Sequence, residues 1–283
     1  MYVSMKGILG RANEGKYAVM AFNCFNLETA KAVIQGAQEL RAPVIISLLQ
    51  DHLKDHLGSH LLTKPIIRMA NEASVEVAIN LDHGQDIGFV TRCLQDGFLS
   101  VMMDASAYPF DQNIKITRNM VEFAQTYNAS VEAEVGNIGS AGDIMTGDSM
   151  HTDPELAIEF VKKTGVDALA ISYGSSHGNY PEGFVPKFHF DIVEKIKKET
   201  NIPLVLHGGS GCGEENIRTS IELGINKINV GSDFMKAQVD QIRYEVERDP
   251  AINLYDLIHS TIDAGKEAVK YYINLAESTG KSL

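Results

Sequence analysis

Cysteine and long apolar runs are both scarce in this sequence. Its three cysteines, Cys24, Cys93 and Cys212, lie far apart, form no CxxC pair and are odd in number. This pattern argues against a disulfide framework or a thiolate zinc site and predicts a reducing compartment. No run approaches the roughly 18 apolar residues of a membrane span, and the N-terminal segment has no apolar stretch long enough for a signal peptide. We therefore expect a cytoplasmic protein.

Positive charge is also in deficit. Lys and Arg number 25 against 37 Asp and Glu, which gives a net charge of -12. This balance argues against nucleic acid or an anionic membrane as the main partner and favours a small molecule. A hydrophobic fraction of 44% is ample for a large core, and 283 residues fit one α/β barrel domain.

Short apolar runs alternate with segments of helical periodicity along the chain. Eight runs are typical of buried strands: YAVMAFN, PVIISLL, VEVAINLD, SVMMDAS, SVEAEVG, DALAISYG, PLVLHGG and KINVGSD. Helical segments between them include Leu27–Leu40, Ile66–Ala73, Ile114–Tyr127, Pro154–Thr164, Phe190–Thr200 and Glu214–Leu223. This alternation predicts an α/β fold, a parallel (β/α)8 TIM barrel, more than an open doubly wound sheet. We expect one domain over residues 1–283 with a C-terminal helical extension.

Polar side chains gather where the predicted strands end: Asn23, Ser47, Asp82, His83, Asp104, Glu132, Glu134, His177, His207 and Asn229. In a closed barrel the carboxyl ends of the strands form one face, so these residues would converge on one cavity. The segment NLDHGQD poses a geometric problem, because adjacent strand residues point to opposite faces. Asp82 and His83 can share a site only if the strand has just ended and the backbone is turning.

Three histidines follow the third, sixth and seventh predicted strands. They are His83, His177 and His207, and a glycine follows each one. Neutral imidazoles are preferred zinc ligands, and a catalytic zinc keeps three protein ligands plus an open position. One histidine at a strand end is more often a hydrogen-bonded structural residue, but three in the same phase favour a metal site.

A second histidine series is weaker. His52, His56 and His60 have the spacing of one helical face, which could also bind a metal. Gly and Ser at 58–59 interrupt that helix, however, and Lys54 would repel a cation. We interpret the series as a solvated surface.

The last two predicted strands end in HGGSG and NVGSD. Loops at these positions of a barrel often bind phosphate through backbone N–H groups and helix N-termini. Gly209, Ser210, Gly211, Gly231 and Ser232 could hold one phosphate group. A tight turn is the alternative for either loop alone.

In this order, LDHG, DAS, VEAEVGNIG, SHG, LHGGSG and KINVGSD resemble the class II, zinc-dependent ketose-phosphate aldolases, which include fructose- and tagatose-bisphosphate aldolases. The resemblance implies zinc ligands at His83, His177 and His207, and proton transfer by Asp82. It implies an alternative or second metal position at Asp104 and Glu134. Implied contacts to dihydroxyacetone phosphate are Ser47, Gly178, Gly208, Gly209, Ser210, Asn229, Val230, Gly231 and Ser232, with Asn229 also bonding the enediolate. One catalytic zinc ion, a monovalent cation and a homo-oligomer, dimer or tetramer, are implied as well.

The implied reaction is reversible cleavage of a ketose phosphate, such as fructose 1,6-bisphosphate, to dihydroxyacetone phosphate and an aldehyde. A lysine Schiff base is the other route to an aldolase, but we place Lys227 at the start of the eighth strand and so at the wrong end of the barrel. An aldolase for a ketose 1-phosphate, tagatose bisphosphate or sugar-acid phosphate is an alternative. A metal-dependent sugar-phosphate epimerase or isomerase and a non-catalytic sugar-phosphate binding protein are others.

Two segments depart from the family pattern. Where family members carry a carboxylate in a GGxED-like loop, this chain reads GSAGD, so Asp143 is the nearest catalytic replacement and Asp148 the second. Where they carry a DPRxY-like segment, this chain has Ala251 in place of the arginine. Arg243 or Arg248 could substitute for it. We therefore predict a weaker preference for a second phosphate on the substrate.

Overall fold

The structure is a computed structural model that describes residues 1–136, 151–178, 180–181 and 183–283. After a short β1 (Tyr2–Val3), its strands are β2 (Val19–Asn23), β3 (Val44–Leu49), β4 (Val77–Gly84), β5 (Ser100–Met103), β6 (Ser130–Val135), β7 (Ala168–Ile171), β8 (Leu204–Leu206) and β9 (Ile225–Val230). Strands β2 to β9 pair in parallel with their sequence neighbours, and β9 pairs with β2. The sheet is therefore a closed parallel barrel of eight strands, as predicted.

Helices cover the outside of the barrel. Their bounds are α1 (Met5–Gly15), α2 (Leu27–Glu39), α3 (Gln50–Asp55), α4 (Ser59–Glu72), α5 (Ile87–Asp96), α6 (Phe110–Gln125), α7 (Pro154–Thr164), α8 (Phe190–Thr200), α9 (Glu214–Leu223), α10 (Ser232–Arg248) and α11 (Leu254–Leu275). Helices α7, α8 and α9 have the predicted bounds. The predicted bounds of α2 and α6 differ from these by one to four residues at an end.

The two ends of helix α7 could be predicted because the sequence carries a signal at each of them. The Asp153 side chain accepts hydrogen bonds from the backbone N–H groups of Glu155 and Leu156 at 2.8 and 3.4 Å, and Pro154 occupies the first turn. The helix ends at Gly165, whose φ of 70° is left-handed and suits glycine. Each terminus therefore carries a local signal.

Helix α4 departs from the prediction, which recognised only its second half. The interruption that we placed at residues 58–59 ends one residue earlier, because Ser59 already belongs to α4. The Ser59 hydroxyl is buried and donates to Asp96 Oδ2 at 2.6 Å, which fixes this helix start against α5. Pro65 lies inside the helix and hid its first turns from the sequence pattern.

The barrel interior is apolar at its amino end. Met5, Ile8, Leu9 and Ala12 of α1 are buried against inward-facing residues of the strands, including Ile45. Helix α1 therefore closes this end of the barrel. A larger apolar core lies between the strands and the outer helices, and the barrel opens at its carboxyl end.

Helix α10 follows the eighth barrel strand, and α11 is an additional helix at the C-terminus, consistent with the predicted extension. Helix α11 packs closely on α2, since a Cβ atom at Gly36 would lie 2.8 Å from Val269 Cγ1. Within the described ranges, no helix combines the length and apolarity needed to cross a membrane.

Candidate active site

A cavity of about 1000 Å³ opens at the carboxyl ends of the strands. Predicted site residues that line it are Asp82, His83, Asp104, Glu134, His177, Gly178, Gly208, Ser210, Asn229, Gly231 and Ser232. Ser47, Gly209 and Val230 were also predicted but are not among the described lining residues. Ser47 is fully buried, and Leu49, two residues further on the same face of β3, lines the cavity instead. Asp143 lies outside the described residues.

The three predicted histidines converge. Nε2 of His83 lies 3.2 Å from Nε2 of His177 and 3.0 Å from Nδ1 of His207. Imidazole ligands about 2.05 Å from a tetrahedral zinc ion are separated by roughly 3.3 Å, which is close to these distances. The three nitrogen atoms therefore fit one metal ion, and they lie within 4.8 Å of one another.

A bulge in β4 places Asp82 and His83 in the same site. The strand continues to Gly84, so our expectation that it ends at these residues was wrong. Its register with β5 shifts between Leu81 and Gly84, and His83 has a left-handed φ of 47°. Gly84 is required there, because a Cβ atom would lie 2.4 Å from the carbonyl oxygen of Met102. The bulge turns consecutive side chains toward the cavity.

Asp104 orients His83 through a hydrogen bond of 2.9 Å to Nδ1. Burial alone lowers the pKa of His83. The hydrogen bond to Asp104 and the charges of Asp82, Glu134 and Asp104 outweigh burial and raise the pKa to about 9. In the metal-free protein, the proton on Nε2 therefore points toward the neighbouring imidazoles, where a metal ion would sit.

His207 is oriented by a different carboxylate. Its Nε2 lies 2.8 Å from Glu132 Oε1, and all three of His207, Glu132 and Lys227 are fully buried. The Lys227 ammonium donates to Glu132 Oε2 at 2.7 Å. Our placement of Lys227 at the wrong end was therefore incorrect, because its long side chain extends up the barrel interior. Its ion pair with Glu132 nevertheless occupies the amine.

Asp82 is held by two asparagines. Asn23 donates to Oδ2 at 2.7 Å and Asn229 donates to Oδ1 at 3.2 Å. Burial alone raises the pKa of Asp82, but the charges of His83, His207 and Lys227 and the Asn23 bond hold it well below its usual value. Asp82 is therefore an ionised carboxylate that is held in one orientation beside the histidine cluster.

A second metal-binding arrangement overlaps the first. His83, Asp104 and Glu134 also bring one ligand atom each within 4.8 Å of the others. Because His83 belongs to both groups, the two arrangements are alternative positions or neighbours that share a ligand. The predicted second position at Asp104 and Glu134 is therefore compatible with the geometry.

The glycine-rich loops after β8 and β9 border the cavity. Gly208 has a φ of 66°, and a Cβ atom there would lie 2.1 Å from the carbonyl oxygen of Ser176. Ser210 Oγ accepts from the backbone N–H of Asp233 at 3.1 Å, and Asp233 accepts from Gly211 N–H at 3.0 Å. These bonds join the two loops beside the N-terminus of α10.

The second histidine series does not form a metal cluster within the described ranges. Its members differ, because His52 lines the cavity whereas His56 and His60 are exposed. The interpretation as a solvated surface therefore needs correction for His52. Asn23 and Glu132 were expected at the cavity without an assigned role, and the contact of Lys227 with Glu132 was missed, although strand parity could have indicated it. Glu132 lies two residues before Glu134 and Lys227 two before Asn229, so each shares an inward face.

Closed parallel barrels with polar and charged side chains at the carboxyl face are typically enzymes, and glycine-rich loops after the last two strands frequently bind phosphate. Residues 3–281 match the profile of the family described as fructose-bisphosphate aldolase class-II, and the chain belongs to this family. It is an aldolase, a lyase that acts on carbon–carbon bonds.

Individual relatives cover nearly the whole chain. A fructose-bisphosphate aldolase of Geobacillus stearothermophilus is 40% identical over 95% of this chain and 93% of its own. A 6-phospho-5-dehydro-2-deoxy-D-gluconate aldolase of Halalkalibacterium halodurans is 38% identical over 99% and 98%. The crystal structure of the YdjI aldolase from Escherichia coli K12 superimposes with a TM-score of 0.89, 32% identity and full coverage of both chains.

Metal binding should release a proton from His83. A pKa raised to about 9 keeps the metal-free imidazole protonated at pH 7.5, and coordination requires the neutral ring. We expect release of about one proton per metal ion at pH 7.5 and almost none well above pH 9. Calorimetric titration in buffers of different ionisation enthalpy measures this number. Equal release at both pH values would contradict the assignment.

Proposed function

We propose that the chain is a zinc-dependent aldolase that reversibly cleaves a ketose phosphate into dihydroxyacetone phosphate and an aldehyde. The observation that carries this proposal is the convergence of three imidazole nitrogens at 3.0 and 3.2 Å beside the fixed carboxylate of Asp82. His83, His177 and His207 would hold the ion. Zinc would supply a Lewis acid that polarises the substrate carbonyl.

The chain's own groups account for the proton transfers. Asp82 would take the proton of the C4 hydroxyl in cleavage, which breaks the bond between C3 and C4. Asn229 could donate to the developing enediolate, since its amide lies beside Asp82. Gly178, Gly208, Ser210, Gly231 and Ser232 would bind the phosphate of the dihydroxyacetone half. We assign the proton at C3 to Asp143, with Asp148 as the alternative.

Metal dependence separates this mechanism from a lysine Schiff base. Chelation should abolish cleavage and zinc should restore it, whereas borohydride with substrate should leave activity intact because Lys227 is paired with Glu132. Ala at His83, His177 or His207 should lower zinc occupancy. Ala at exposed His56 or His60 is the matched control. Full activity of metal-free protein would refute the mechanism.

The two proton transfers should separate by mutation. Asp82→Ala should slow cleavage by at least ~10²-fold, the usual effect of losing a general base, while zinc stays bound. Exchange of dihydroxyacetone phosphate protons with solvent deuterium should survive better than cleavage, because it does not require the C4 hydroxyl. Asp143→Ala should show the reverse. Equal losses in both assays for Asp82→Ala would contradict the assigned role.

An epimerase or isomerase on this barrel would use the same metal and phosphate sites without releasing a triose. Coupling turnover to glycerol-phosphate dehydrogenase separates them, because the coupled assay detects dihydroxyacetone phosphate. Release of the triose from a ketose phosphate is the result that the aldolase proposal requires.

The cavity gives little support for a second phosphate. None of the described residues that line it is Lys or Arg. The sequence also has no Lys or Arg at positions 137–150, 179 and 182, which lie outside the described ranges. Arg243 and Arg248 are exposed on α10, where Arg243 is paired with Asp240 and Arg248 with Glu245. A terminal phosphate carries about two negative charges, and Asp51 at the cavity would oppose it. The relative named for a deoxygluconate phosphate also supports substrates other than ketose bisphosphates.

We therefore propose a ketose 1-phosphate or a sugar-acid phosphate as the natural substrate. The kcat/KM values for fructose 1,6-bisphosphate and fructose 1-phosphate should be similar. A charge-assisted contact of ~2–3 kcal/mol would instead favour the bisphosphate by roughly 30- to 150-fold. A ratio that large would overturn this prediction and indicate a cation from elsewhere, such as a neighbouring subunit.

A further inference from the structure

The Lys227–Glu132 ion pair spans the interior of the barrel. Lys227 lies on β9 and Glu132 on β6, which are separated by β7 and β8 around the barrel. The Nζ atom lies 2.7 Å from Oε2, and both side chains have no exposed surface. The pair is thus fully desolvated, close to the apolar layer that closes the barrel.

Stability alone does not explain such a pair. Removing two charges from water costs several kcal/mol per ion, and apolar residues of similar volume often stabilise an interior equally well or better. The pair has, however, a third member. The other oxygen of Glu132 lies 2.8 Å from Nε2 of His207, so Lys227 fixes a carboxylate that contacts the histidine cluster.

The orientation of Glu132 determines how His207 faces the cluster. A carboxylate accepts hydrogen bonds, so the His207 nitrogen beside it, Nε2, carries the proton. Nδ1 then presents its lone pair toward His83, whose Nε2 is 3.0 Å away. An imidazole that binds a metal needs this division between its two nitrogens.

We propose that Lys227 is a positioning residue of the metal site, which acts through Glu132 to fix the tautomer and ring orientation of His207. The proposal rests on the zinc-binding role of His207 in the proposed function. The Lys227 ammonium donates to Glu132, and Lys227 is not among the described residues that line the cavity. Its effect is on metal affinity.

The decisive variants are Lys227→Met, Glu132→Gln and the two combined. In Glu132→Gln, Lys227 draws the amide oxygen toward itself and turns the amide NH2 toward His207. That NH2 then donates to Nε2 and forces the proton onto Nδ1, which blocks coordination. Without Lys227 the amide can rotate and again accept a hydrogen bond from Nε2.

We therefore expect that Lys227→Met partly restores the zinc affinity that is lost in Glu132→Gln. Each single variant should bind zinc about 10- to 100-fold more weakly than the unaltered protein, the usual effect of losing an outer partner of a metal ligand. The combined variant should bind zinc more tightly than Glu132→Gln alone. Competition with a chromophoric chelator measures these affinities without any activity assay.

Lys197→Met is the matched control. Lys197 is a partly buried lysine that donates to Asn226 Oδ1 and to the Ile202 carbonyl at 2.8 Å, and neither bond involves Glu132 or a histidine. Its zinc affinity should equal that of the unaltered protein. Circular dichroism and urea unfolding establish that each variant is folded.

The outcomes are distinct. A combined variant that binds zinc as weakly as Glu132→Gln, or more weakly, would overturn the positioning role, and this comparison holds even if Lys227→Met does not fold. Folded Lys227→Met with unaltered affinity would also overturn it. Absence of zinc binding by the unaltered protein would instead refute the proposed function.

Discussion

Buried carboxylates at the mouth of the barrel and just below it are the constraint on which the site depends. Asp82, Asp104, Glu132 and Glu134 are each at most 5% exposed. Charges removed from water must be paired or hydrogen-bonded, and specific neighbouring side chains do this here. Lys227 compensates Glu132, the asparagines hold Asp82, and protonated His83 lies against Asp104. A divalent cation among the histidines would take over the role of that proton.

The barrel arranges these groups by strand parity and strand order. Alternate positions of a strand point inward, so Glu132 and Glu134 share a face, as do Lys227 and Asn229. Several lower inward positions, such as Val19 and Ile45, are apolar and pack on α1. Apolar side chains thus form the base of the barrel interior beneath the polar and charged groups of the site.

Much of this arrangement could be predicted, because it depends on local rules. Asp153, Pro154 and Gly165 mark the ends of one helix through capping and backbone preference. The histidines were recognisable because the same phase recurs after three strands. The bulge at His83 could not be predicted from the sequence, because it depends on the register between β4 and β5. Likewise, whether Ser47 or Leu49 lines the cavity depends on how deep the cavity is along β3. The contact between Lys227 and Glu132 depends on how side chains from different strands meet inside the barrel.

Closure of the amino end by α1 determines where substrates enter the barrel and where products leave it. An interior filled by Met5, Ile8 and Leu9 offers no passage, so whatever enters between the strands must leave through the same opening. An aldol cleavage converts one molecule into two, and both fragments must leave through that opening. In the synthetic direction, two reactants must pass it in turn before either can meet the other. Binding and release of both halves therefore take place at the carboxyl end of the barrel.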